Sequence, residues 1–142
     1  MLWIRLQLFL AALWWGSLTV VGVVVVPTLF AVLEPKALAG QVAARLFSAE
    51  CWIGLVSGLL LILAGRRTAA AGRYRPSAWV LLAMMAALLL EVAVAPRIVA
   101  RENLALWHGV GTALYVVQWL AMGRWLWSWT VRQASSAESI AD

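Results

Sequence analysis

The sequence predicts an all-α integral membrane protein, a four-helix bundle with both termini in the cytoplasm. Three observations carry that fold class: an apolar excess, four continuous apolar runs of spanning length, and polar breaks between them. Hydrophobic residues make up 65% of the 142 positions and charged residues 12%, against roughly 45–50% and about 25% in a soluble domain. Mean hydropathy is +0.91. A domain of this size buries only about 70% of its unfolded surface, too little to hide so much apolar side chain. A soluble enzyme, a nucleic-acid-binding domain and a disordered chain are excluded on that ground, and the lipid bilayer becomes the first partner.

Crossing about 30 Å of hydrocarbon at about 1.5 Å per residue takes about 20 apolar residues. The first run covers about 6–33 and ends at Glu34-Pro35-Lys36. It exceeds the roughly 7–15 apolar residues of a signal peptide, so it reads as an uncleaved anchor. Its excess length implies tilt, or a bend at Pro27, which cannot donate to the Val23 carbonyl. The second run covers about 47–65, the third about 78–95 up to Pro96, and the fourth about 106–126. None alternates with the period of two that a membrane β-barrel needs. Leu38, Val42 and Leu46 recur every fourth residue opposite Gln41 and Arg45, which predicts a short interfacial helix over about 36–47, either separate or continuous with the second span. Residues 1–133 form one transmembrane domain, and 134–142 are a polar tail expected to be poorly ordered.

Cations set the orientation. Arg5, Arg66, Arg67, Arg73, Arg75, Arg124 and Arg132 fall on one side; Lys36, Arg45, Arg97 and Arg101 fall on the other. The richer side is cytoplasmic by the positive-inside rule, and the expected location is a bacterial-type inner (plasma) membrane. The net charge of +5 therefore reports topology, not nucleic acid. Trp3, Trp79, Trp125, Trp127 and Trp129 read as an interfacial belt on that same side. The lone Cys51 excludes an intramolecular disulfide and a multi-thiolate metal site.

Polar residues inside the runs mark the candidate site, because a charge in hydrocarbon costs about 2.5–3.5 kcal/mol even on the lenient insertion scale. Glu91 is the one acidic residue deep in a span. It reads either as a cation ligand or proton relay, or as a clasp to Arg97 or a fourth-span hydroxyl. In the fourth run His108, Gly111, Thr112, Tyr115, Gln118 and Met122 share an arc of about 120° at about 100° per residue, which predicts an inward polar face. His108 could be one ligand beside Glu50, Cys51 or Glu91, or a hydrogen-bonded packing residue. In the second run Glu50, Gly54, Ser57, Gly58, Leu61 and Gly65 form a stripe, with Gly54 and Gly58 spaced for close helix packing. Topology brings Glu34, Glu50, Cys51, Glu91, Arg97 and His108 to the outer half of the bundle.

Several of these residues carry a family resemblance. Trp15-Gly16, Val26-Pro27-Thr28-Leu29-Phe30, Ala39-Gly40, Arg45-Leu46-Phe47 with Glu50, and Leu106-Trp107-His108-Gly109 with Gly111 and Tyr115 resemble the DUF4149 family, also called TMEM205-like. The resemblance covers about residues 8–122. It implies a four-helix membrane protein of uncharacterised role, distantly similar to CopD copper-resistance proteins.

Three functional readings follow. The first is a non-enzymatic accessory or interaction subunit, partnered by other membrane subunits or by copies of itself. No nucleophile–base pair, cysteine cluster or phosphate loop argues for catalysis. The second is transport or handling of a small ion such as copper, with Glu91, His108 and Glu50 as the candidate ion or proton site and Cys51, Tyr115, Gln118 and Arg97 as helpers. Few Met and His residues stand against soft copper binding. The third is a haem- or quinone-associated redox protein using His108 and Tyr115. No cofactor is firmly implied, and the metal is unknown.

Overall fold

The computed structural model describes residues 2–68 and 77–141, with side chains described to residue 129. The helices are α1 (Leu2–Val20), α2 (Val26–Val32), α3 (Lys36–Thr68), α4 (Ala78–Leu89), α5 (Ala95–Val99) and α6 (Leu104–Ala141). Two five-residue π-turns, Val21–Val25 and Leu90–Val94, join α1 to α2 and α4 to α5. Four stretches are long and apolar enough to cross a membrane: Leu2–Val32, Lys36–Thr68, Ala78–Val99 and Leu104–Trp129. They pack as a ring in the order α1, α3, α4, α6. The short connections 33–35 and 100–103 therefore lie at one end of the bundle, the short-loop end. Arg73 and Arg75 fall outside the described residues.

Proline shapes both broken spans. It lacks an N–H, and its ring clashes with the carbonyl four residues back. In each case the preceding turn widens to five-residue spacing, with Val26 N–H donating to Val21 and Ala95 N–H to Leu90. The expected bend at Pro27 takes this form. Pro96 ends nothing: the third span runs through it to Val99, because one widened turn absorbs the missing bond.

The segment 36–47 forms the first three turns of α3, continuous with the second span, the second of the two expected arrangements. Its buried stripe is Ala39 and Ala43, while Leu38 is exposed. Alanine lets α2 approach closely, and the larger Leu38 is left for lipid. Asn103, at φ 34°, turns the chain into α6 and accepts the Leu106 N–H through its side chain at 3.4 Å, as N-cap residues do. The α6 backbone continues to Ala141, through the segment read as a tail. No Gly or Pro interrupts it there.

The core holds Leu10, Ala11, Trp14, Leu18, Leu61, Val80, Ala83, Ala121, Met122 and Trp125. The α3 glycines receive side chains as knobs. A Cβ on Gly54 would lie 2.6 Å from Trp14 Nε1, and one on Gly58 would lie 2.5 Å from Met84 Cγ. Trp125 is therefore not part of a belt. It continues the buried α6 stripe of Gln118, Ala121 and Met122, whereas Trp127 stands exposed. Trp15 stacks on Trp119 at 5.5 Å, and the Trp119 indole donates to Thr19 at 2.8 Å, fixing α1 against α6. Phe9, Leu13, Val56, Leu59, Leu63 and Leu81 point outward, as a lipid-facing surface requires.

Candidate functional site

Two glutamates lie within the spans, and each meets a serine of another helix. Glu50 of α3 is 3% exposed, and Ser17 of α1 sits 2.7 Å from its Oε1. The same Ser17 oxygen is 2.9 Å from the Trp14 carbonyl. Ser17 donates to Glu50, and the same hydroxyl lies within reach of the Trp14 carbonyl as a shared, three-centre bond. Glu91, in the second π-turn, accepts from Ser48 of α3 at 2.7 Å through Oε1. Its Oε2 is buried without a partner among the described residues.

Ser48 and Glu50 are two residues apart on α3, about 200° around the helix. The two clasps therefore grip opposite flanks of α3, one tying it to α1 and the other to the second π-turn. Buried Cys51 is within electrostatic range of both glutamates. Tyr115 is within range of Glu50 and Cys51. Glu50, Cys51, Glu91 and Tyr115 thus share one neighbourhood. Among the described residues no three His, Cys, Asp or Glu side chains converge as metal ligands.

Tyr115 reaches from α6 to the first π-turn, and its hydroxyl donates to the Leu18 carbonyl of α1, ahead of that turn, at 2.7 Å. A Cβ on Gly22 would lie 2.8 Å from the Tyr115 ring, so glycine is what admits it. The ring also meets Phe47 edge to face at 5.3 Å. Gln118 is 1% exposed, with Oε1 lacking a partner.

Other expected site residues lie elsewhere. His108 is exposed, its Nδ1 2.8 Å from the Leu104 carbonyl of its own helix. Thr112 is also exposed and donates to the His108 carbonyl at 2.9 Å. The buried α6 arc centres on Gly111, Gln118 and Met122, and these two side chains fall on its flank, about 60–100° away. Arg97 does not pair with Glu91. Its Nη1 donates to the Ala93 carbonyl at 2.5 Å and its guanidinium lies 4.6 Å over Trp107. Glu34 pairs instead with Lys36 at 2.6 Å on the surface.

Ser17 and Ser48 escaped the sequence reading. The one signal they gave was a hydroxyl inside or beside an apolar run, close to the depth of a glutamate. The family model described as a domain of unknown function, DUF4149, matches residues 9–105. The chain belongs to the DUF4149 family. The matched stretch contains both π-turns, both glutamates and both serines, and stops before Tyr115 and Gln118. No curated protein and no solved structure matches this DUF4149 chain.

Proposed function

We propose that this membrane protein handles a small ion at Glu50 and Glu91, and that the ion is a proton or a hard cation rather than copper. The observation that carries this reading is the buried, partnerless Oε2 of Glu91. An intramembrane carboxyl with an open oxygen is a functional residue by default, and Ser48 holds it in place without neutralising it. The chemistry at hand is mostly oxygen, which favours hard ions, and His108 is exposed and bonded to its own helix. The likeness to CopD proteins and the TMEM205-like label remain resemblances of sequence. We place both termini in the cytoplasm of an inner (plasma) membrane, so that the short-loop end and the carboxyls are outer, from the distribution of cations.

Dicyclohexylcarbodiimide, which reacts with protonated carboxyls in apolar surroundings, tests the reading. On the detergent-solubilised protein, mass spectrometry is expected to find the adduct on Glu91, and Glu91→Gln should remove it while the protein stays folded. A folded wild-type protein that takes no label on Glu91 would sink the proposal.

A second reading, an interaction subunit, is favoured by one surface. Ala105, Gly109 and Ala113 form an exposed stripe of small residues on α6, the pattern that lets another helix approach in a membrane. Gly109→Leu is expected to lower the apparent mass on gel filtration if that face is occupied, and to leave it unchanged otherwise.

A further inference from the structure

The two broken spans repeat one pattern. Residues 21–27 read Val-Gly-Val-Val-Val-Val-Pro and residues 90–96 read Leu-Glu-Val-Ala-Val-Ala-Pro. Val23, Val25 and Pro27 thus recur 69 positions later as Val92, Val94 and Pro96. Each stretch opens with a π-turn and is followed by a short helix, a tight connection and a long helix. Phe47 and Tyr115, each the twelfth residue of its long helix, meet at 5.3 Å. Equivalent residues beside a pseudo-twofold axis do this. Helices broken at corresponding positions of two halves are a recurrent way of building ion sites, with freed backbone carbonyls as ligands.

Each proline withholds an N–H from the turn before it, and the carbonyl one place into that turn is left without its usual helical donors. The Glu91 carbonyl could accept from Ala95 or from residue 96. The Ala95 N–H goes to Leu90, and Pro96 has none. The Gly22 carbonyl is in the same position, since Val26 donates to Val21 and Pro27 has no N–H. At the first turn the Tyr115 ring packs on Gly22. At the second turn the equivalent residue is Glu91 itself, bringing a carboxyl with an open oxygen to a turn with an open carbonyl.

We propose that the second π-turn binds a hard monovalent cation of the sodium type, held by the carboxylate and the backbone carbonyl of Glu91 in exchange for the carboxyl proton. The inference rests on Glu91 being protonatable, and it names the ion that competes. Oxygen donors select a hard cation. A single carboxylate neutralises a single positive charge, so the site stays neutral in hydrocarbon whether proton or cation is present.

The test is carbodiimide labelling of the intact protein in sodium chloride against choline chloride, read at Glu91 by mass spectrometry. Sodium is expected to protect Glu91 and choline is not. Pro96→Ala restores an N–H that can close the open carbonyl while keeping the carboxyl. Glu91 should still label in that variant, but half-protection should need on the order of tenfold more sodium. Pro27→Ala makes the same change in the first turn and should leave protection unchanged. Glu91→Asp, which keeps the acid but retracts it, should label and lose protection, and serves if Pro96→Ala does not fold. Labelling that sodium blocks no better than choline overturns the cation site and leaves a protonatable Glu91 standing. Protection of Pro96→Ala at wild-type sodium overturns it too. No label at all defeats the protonatable carboxyl and this inference together.

Discussion

The two π-turns share a backbone solution and differ in what they do with it. In the first, Gly22 makes room and Tyr115 of α6 enters to bond the Leu18 carbonyl. In the second, Glu91 occupies the matching place, reaches Ser48 of α3 and keeps one oxygen without a partner. The space at the first turn is thus filled by a side chain from a neighbouring span, while the second turn carries a carboxyl oxygen without a partner among the described residues. Proline accounts for the shape of both turns. The residue one place into the turn decides whether it serves packing or chemistry.

Substitutions can break that contrast from either side. Filling the closed turn has the largest expected effect. Gly22→Leu places atoms within the 2.8 Å approach of the Tyr115 ring, and overpacking of this kind costs about 1–3 kcal/mol. Thermal unfolding in detergent should fall clearly, with Glu91 labelling retained. Next come the single hydrogen bonds. Tyr115→Phe and Ser48→Ala should each cost about 1 kcal/mol, near the range for interhelical hydrogen bonds in membranes. Only Ser48→Ala should alter labelling of Glu91, because only it removes that carboxyl's donor. Glu91→Gln keeps an acceptor for Ser48, so melting should stay close to wild type while labelling vanishes. The smallest effect belongs to His108→Ala. An exposed side chain bonded to its own helix should change stability by less than about 0.5 kcal/mol and leave labelling intact.

The spans were legible because hydropathy is a property of the chain itself, and runs 6–33, 47–65, 78–95 and 106–126 all recur within helices long enough to cross a membrane. Gly54 and Gly58 were legible as packing positions, though not the knobs they receive, since Trp14 and Met84 lie 40 and 26 residues away. Pro27 announced a bend, and Pro96 looked like an end, because a widened turn depends on what packs around it. The fourth-span arc was right in period and about 60° wrong in centre, which kept Tyr115 and Gln118 inside and put His108 and Thr112 outside. Glu91 stood out by the cost of burying charge, whereas Glu50 was read as the end of the glycine stripe and its burial at 3% exposure was not legible. Their serines did not stand out, since pairing across helices is set by register between spans and no local pattern encodes it.

Infrared spectroscopy tests the Glu91 site, as the difference between wild-type protein and Glu91→Gln in sodium-free and sodium-containing buffer. The expected result is a protonated-carboxyl stretch that belongs to Glu91 and weakens when sodium replaces choline. A Glu91 signal that is ionised in both buffers and indifferent to sodium would contradict it, and would leave the carboxyl as a clasp between α3 and the second π-turn.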